Sequence, residues 1–195
     1  GFLWIEHEGV KSNLDFTSIL WYNRSIKRKG DIIMVINRIW SMPNSKTFKI
    51  KPIKELIEKY ISPNQTIIDP FANDSEYGTI TNDLDPQYNT NYHMDATDFL
   101  KMLEDNIADV VLYDPPYSPR QVSECYKKLN KTVNMKTTQA SYWSNQKEQI
   151  SRIVKPNGIA ITCSWNSGGI GKKYGFEIEE ILLVLHGGWH NDTIV

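Results

Sequence analysis

Residues 108–117 read Ala108-Asp109-Val110-Val111-Leu112-Tyr113-Asp114-Pro115-Pro116-Tyr117. The first six form a short, almost continuous apolar run, the pattern of a strand buried on both faces. Two prolines then remove backbone donors that a strand would need, so the run stops at Asp114. The same figure recurs on either side. Thr66-Ile67-Ile68 stops at Asp69-Pro70, Gly78 to Asn82 stops at Asp83, and Ile159 to Ser164 forms the next strand downstream. Glu177 to Leu185 and Asn191 to Val195 read as two further strands, joined at Gly187-Gly188 closely enough for an antiparallel pair. Helical stripes separate these runs. Pro52 opens Ile53 to Ile61, Asp95 to Leu103 carries Phe99, Leu100 and Leu103, and Ser141 to Val154 ends at Lys155-Pro156-Asn157-Gly158.

Strands alternating with helices predict an α/β domain built on a doubly wound sheet, mostly parallel with an antiparallel C-terminal strand. Ligands of such sheets lie outside the carboxyl ends of the strands. Asp69, Asp83, Asp95 and Asp114 all fall at strand ends or just after one, so four carboxylates are expected along one edge. Each of them, taken singly, fits a helix N-cap as well.

The chain has 195 residues, 40% hydrophobic and 23% charged, the profile of one globular domain. Its longest apolar run, Ile181 to Leu185, is far below the roughly 18 residues of a spanning helix, so no membrane association is expected. No basic stretch leads into an apolar one near residue 1, and Cys125 and Cys163 make neither a disulfide framework nor a zinc spacing. A cytoplasmic location is the expectation. His93, His186 and His190 show no ligand spacing, and no metal is expected. The net charge of -1 conceals blocks of opposite sign. Residues 24–59 hold ten Lys or Arg against three acids, whereas residues 60–117 hold eleven acids against Lys101 alone. Such an acidic block suits a cationic or hydroxyl-rich ligand, and the basic blocks beside it suit a polyanion.

Asp114-Pro115-Pro116-Tyr117 suits a planar amino-purine. The prolines fix the backbone and leave local carbonyls as acceptors, so an amino group meets a carboxylate and a carbonyl together. Tyr117 adds an aromatic face, on which stacking is worth about 1–3 kcal/mol per base. Downstream, Arg120, Lys127, Lys128, Lys131 and Lys136 interleave with Tyr126, Tyr142 and Trp143, as a loop closing over nucleic acid would. Trp165-Asn166-Ser167-Gly168-Gly169 follows a strand and could shape a target pocket, or serve as a plain glycine loop.

In these motifs the sequence resembles the amino-group DNA methyltransferases, in particular small adenine-N6 methyltransferases of phage and prophage type, over roughly residues 36–195. Asp114, Pro115, Pro116 and Tyr117 are similar to the family's catalytic motif. Asp69, Pro70, Phe71 and Ala72 resemble its first cofactor motif. Asp83 matches the acid that binds the ribose hydroxyls of S-adenosylmethionine, and Asp95-Ala96 the segment that contacts the cofactor's adenine. Lys51-Pro52, with Phe48 and Leu56, resemble the segment packing on the methionine part. The resemblance implies a Rossmann-like methyltransferase sheet, S-adenosylmethionine as cofactor, and site-specific methyl transfer to N6 of adenine in DNA. It places a single catalytic domain over residues 34–195 behind an N-terminal extension, residues 1–33, that matches no motif.

Two departures stand out. Asn73-Asp74-Ser75-Glu76 occupies positions where relatives have Gly-x-Gly, and Asp69 and Asp83 are only 14 positions apart. A parallel crossover normally needs about a dozen residues or more, so the first helix is expected to shrink to a turn or vanish. No segment is large enough for a separate target-recognition domain. Selectivity then falls to Ser118–Lys147, to the basic block near residue 30, to a homodimer, or to a partner specificity subunit. RNA adenine, cytosine N4 and a protein amide remain alternative acceptors, and a catalytically silent nucleic-acid-binding subunit is the alternative of another class.

Overall fold

The computed structural model describes residues 24–25, 34–133 and 139–195; the 1–33 extension, apart from Arg24–Ser25, and Lys136 lie outside them. The described chain runs β1 (Arg24–Ser25), β2 (Val35–Trp40), a 3-10 turn (Thr47–Lys49), α1 (Lys51–Tyr60), β3 (Ile67–Asp69), β4 (Ile80–Thr81) and α2 (Ala96–Met102). It continues through β5 (Ala108–Tyr113), α3 (Pro119–Lys128), α4 (Ser141–Ile153), β6 (Val154–Thr162), a second 3-10 turn (Lys172–Tyr174), β7 (Glu180–Leu185) and β8 (Thr193–Ile194).

Two four-stranded sheets result, a parallel one in the order β4-β3-β5-β6 and a mixed one in the order β1-β2-β7-β8. In the mixed sheet β2 and β7 are parallel, while β1 and β8 run antiparallel to their neighbours. Ser164, just past β6, exchanges both backbone hydrogen bonds with Ile194 of β8, so the sheets meet edge to edge. At the other edge Tyr92 bridges Asn82 in parallel, just past β4.

The period-two alternation of β5 organises the core. Val110 and Leu112 face Ile53 and Ile57 of α1, together with Ile67, Ile161, Leu182 and Val184. Val111 and Tyr113 face the opposite way, onto Phe99 and Leu100 of α2 and Ile150 and Ile153 of α4. Helices therefore cover both faces of the central sheet, and each fully buried Ile or Leu contributes about 1.5–3 kcal/mol. The fold is α/β with a four-stranded parallel sheet and a small mixed sheet. Among the described residues, no helix is long and apolar enough to cross a membrane.

Several elements differ from the sequence reading. The stretch after Tyr117 is largely the helix α3, not a loop, because Ser118 caps it through its side chain, Pro119 occupies its first turn, and Val122 and Tyr126 give it a buried face. β2 was not expected as a strand, and parallel pairing with β7 is what fixes it. β6 begins at Val154, five residues earlier than Ile159. Val154 already pairs with Ala108, and the Lys155–Gly158 segment bulges out, with Asn157 at a φ of 65°. Between β3 and β4 no helix forms, as the spacing requires.

Candidate active site

Each parallel strand delivers its polar terminus to the carboxyl edge. Asp69 ends β3, Asn82 and Asp83 follow β4, Asp114 follows β5, and Asp95 caps α2 with its Oδ1 accepting from the Thr97 N–H at 2.8 Å. All of these but the buried Asp69 border a cleft of about 980 Å³ lined by Pro70, Phe71 and Ala72, by Asp83, Asp95 and Ala96, and by Asp114 through Tyr117. That volume is at the upper end of ordinary small-molecule sites. Asp114 and Asp83 therefore open onto one space.

Asp83 is held firmly. Its Oδ2 accepts from the Asn73 N–H at 2.9 Å and its Oδ1 from the Asp85 N–H at 2.8 Å. Burial nevertheless raises its pKa above the ordinary carboxylate value. Asp95 combines two duties: besides capping α2, its Oδ2 accepts a hydrogen bond from the Tyr126 hydroxyl of α3. The capping role weighed for these acids is real here. Asp114 is half-buried, and its Oδ1 accepts from the Tyr117 hydroxyl. Burial pushes the Asp114 carboxyl up, partly offset by the Thr47 and Tyr117 hydroxyls. The Tyr117 ring packs edge-on against Trp165, with centroids 5.6 Å apart. Trp143 Nε1 donates to the Pro116 carbonyl at 2.9 Å; among the described residues no hydrogen bond reaches the Pro115 carbonyl.

Beside the cleft two buried polar atoms lack partners among the described residues, Asp69 Oδ2 and Asn73 Oδ1. Asp69 is fully buried, and its pKa is pushed up to about 8, chiefly by burial and further by the charges of Asp114 and Asp83. Orphaned buried acceptors call for donors, which a ligand rich in hydroxyls or carrying an ammonium would bring. The loop can pass this close to Asp69 because residue 78 is glycine: a Cβ there would sit 3.0 Å from Asp69 Cβ and 2.6 Å from Thr81 Cγ2. Asp74, at a position where the resemblance has glycine, accepts from Lys46 and Lys49 and ties the 3-10 turn to the 70–79 loop.

Four expected cofactor contacts do not line the cleft: Asp69, which is fully buried, Leu56, which packs on the core, and Lys51 and Pro52. Lys51 is exposed and pairs with Glu55, and Pro52 is buried at the start of α1; neither lines the cleft. The turn just before them does, through Lys46, Thr47 and Phe48. Pro52 fills the N-terminal turn of α1, which directs the following residues into the core instead. Of the basic residues expected to meet nucleic acid, Lys128 reaches the cleft and lies 3.6 Å from Asp85. Arg120 pairs with Glu124 at 2.7 Å on the outer face of α3, and Lys127 and Lys131 are exposed. Sequence reasoning overlooked Tyr77, Tyr88, Gln121 and Thr47, all of which line the cleft. Only Gln121 carried a signal, three residues after an N-cap serine. Among the described residues no three His, Cys, Asp or Glu side chains are grouped to hold a metal ion.

The fold and this edge define an α/β protein with an acidic ligand cleft at a doubly covered sheet. Neither a protein-family model nor a curated protein matches the chain.

Proposed function

We propose that the chain is an S-adenosylmethionine-dependent methyltransferase acting on the exocyclic N6 of adenine in DNA. The observation that carries this reading is the single cleft onto which Asp83, Asp95 and the Asp114-Pro115-Pro116-Tyr117 turn all open. The strand arrangement supports it too. Taken through the Ser164–Ile194 bridge, the strands from β4 to β2 form one run in which β8 alone is reversed, in keeping with a Rossmann-like methyltransferase sheet.

Bound S-adenosylmethionine supplies an electrophilic sulfonium methyl group. Asp83 would hold the ribose hydroxyls with the lone pairs that Asn73 and Asp85 leave free, its orientation already set by those two N–H groups. Asp95 would meet the adenine amino group, sharing its Oδ2 with Tyr126. The unpartnered Oδ1 of Asn73, whose residue lines the cleft, would face the ammonium of the methionine part. On the acceptor side, the Asp114 carboxylate and the Pro115 carbonyl accept hydrogen bonds from the target amino group. They would bend it toward tetrahedral geometry and free its lone pair to form the N–C bond as the C–S bond breaks to a neutral thioether, the amino proton leaving to solvent. No covalent intermediate is needed, and orientation alone can supply about 7–11 kcal/mol. Tyr117, braced by Trp165, fixes Asp114 through its hydroxyl and offsets part of the few kcal/mol needed to flip a base from a duplex.

The test is methyl transfer from labelled cofactor to adenine-containing DNA, read as N6-methyladenine by nucleoside mass spectrometry. Asp114→Asn is expected to lower turnover by about 100-fold or more while S-adenosylmethionine binding stays within about twofold. Label appearing instead in RNA, in cytosine or in protein would replace the acceptor. A second reading, a catalytically silent nucleic-acid-binding subunit, is favoured by Asp74 with its two lysines in place of the expected glycines. Absence of cofactor binding by the parental chain would establish it over the first.

A further inference from the structure

Trp165 lies outside the cleft lining, against Tyr117. The Tyr117 ring meets the Trp165 ring edge-on at an interplanar angle of 73°, and Trp165 keeps 42% of its surface exposed. Asn166, Ser167 and Gly168 beside it are exposed as well, so the indole stands on an open loop. Helix α4 ties this loop to the catalytic turn. Trp143 donates to the Pro116 carbonyl at 2.9 Å, and Lys147, one helical turn on, donates to the Gly169 carbonyl at 2.5 Å. Residues one turn apart share a helix face, so the 114–117 turn and the 165–169 loop are held as one surface.

That surface is cationic at its far end. Among the described residues neither Lys147 nor Lys173 pairs with a carboxylate: Lys147 is half-buried with its ammonium on the Gly169 carbonyl, and the Lys173 Nζ lies 4.6 Å from the centroid of the Tyr174 ring. Cations without acidic partners, one of them bonded to the loop that carries an exposed indole against Tyr117, suit the repeat of a nucleic acid strand: base, then phosphate. We propose that the Trp165–Gly169 loop is a single-stranded DNA platform, on which Trp165 stacks the nucleotide adjoining the target and Lys147 with Lys173 hold its phosphate. This rests on the transferase reading for the place of the target base. It moves the strand away from α3, whose Arg120 and Lys128 are already engaged with Glu124 and Asp85.

The experiment is fluorescence anisotropy of the full chain with a labelled single-stranded adenine–thymine dodecamer, without cofactor, so the readout does not depend on methyl transfer. Trp165→Ala is expected to weaken binding by about fivefold or more, and Trp165→Phe to restore most of it. Lys147→Gln with Lys173→Gln is expected to flatten the slope of log affinity against log salt by about 1.4, the value for two single-strand phosphates. Calorimetry with S-adenosylmethionine should show Trp165→Ala unchanged. The proposal is overturned if Trp165→Ala binds the strand within about twofold of the parental chain, if the salt slope does not change, or if RNA or duplex DNA of the same sequence binds more tightly. Failure of the parental chain to bind S-adenosylmethionine would remove the transferase reading and leave this binding test to be decided on its own.

Discussion

Asp69 is the residue whose ionisation is most altered by the fold. An unfolded aspartate titrates near 3.9, whereas here the carboxyl is pushed up to about 8. Between those values the folded state binds the extra proton, so stability contributed at this site falls as pH rises from about 4 to 8. Asp69→Asn keeps an acceptor for the Phe71 N–H at Oδ1 and removes the titration. Its melting temperature is expected to match the parental one near pH 4 and to exceed it increasingly up to pH 8. A difference independent of pH would remove Asp69 from this role. Asp83 and Asp114 are raised in the same direction by burial, so the Asp69→Asn variant keeps some of the trend.

At the scale of elements, α3 is the least anticipated part and the one closest to function. Its N-cap is Ser118, whose Oγ accepts from the Gln121 N–H, and Ser118→Ala is expected to lower stability by about 1 kcal/mol in denaturant melts. On its inner face Tyr126 donates to Asp95, the residue proposed to meet the cofactor's adenine. Tyr126→Phe frees that oxygen. The expected outcome is tighter binding of S-adenosylmethionine by calorimetry, with faster amide exchange along 119–128 as the helix loses its tie. Weaker binding would make Tyr126 itself a cofactor contact. The helix was hidden by its composition, since Arg120, Lys127 and Lys128 dominate the segment; the Ser-Pro start and the Val122/Tyr126 spacing were the legible signals.

For the molecule as a whole, the join between the two sheets is the point of interest. It consists of the Ser164–Ile194 exchange, and the mixed sheet beside it is tied within itself at the end of β7 by His186, which is buried and bonded to the Ser41 carbonyl and the Thr193 hydroxyl, each at 2.9 Å. His186→Ala leaves two polar groups without partners and is expected to cost about 1–3 kcal/mol. At about 2–4 °C per kcal/mol for a chain of this size, calorimetry would resolve the drop in melting temperature. An unchanged melting temperature would mean that the mixed sheet is held by its strand pairing alone.

The sequence by itself determined the alternation of buried strands and helices, the acids at strand ends, the bis-proline turn after β5, and the loss of a helix between Asp69 and Asp83. All of these are written locally, in side-chain period and in the backbone limits of proline. Only the tertiary structure decided that β2 pairs with β7, that Thr47 rather than Lys51 and Pro52 borders the cleft, that Tyr126 reaches Asp95, and that Trp165 lies against Tyr117. Each of these joins residues dozens of positions apart. Such contacts follow from sheet register and from which helix covers which face, and no local pattern along the chain encodes either.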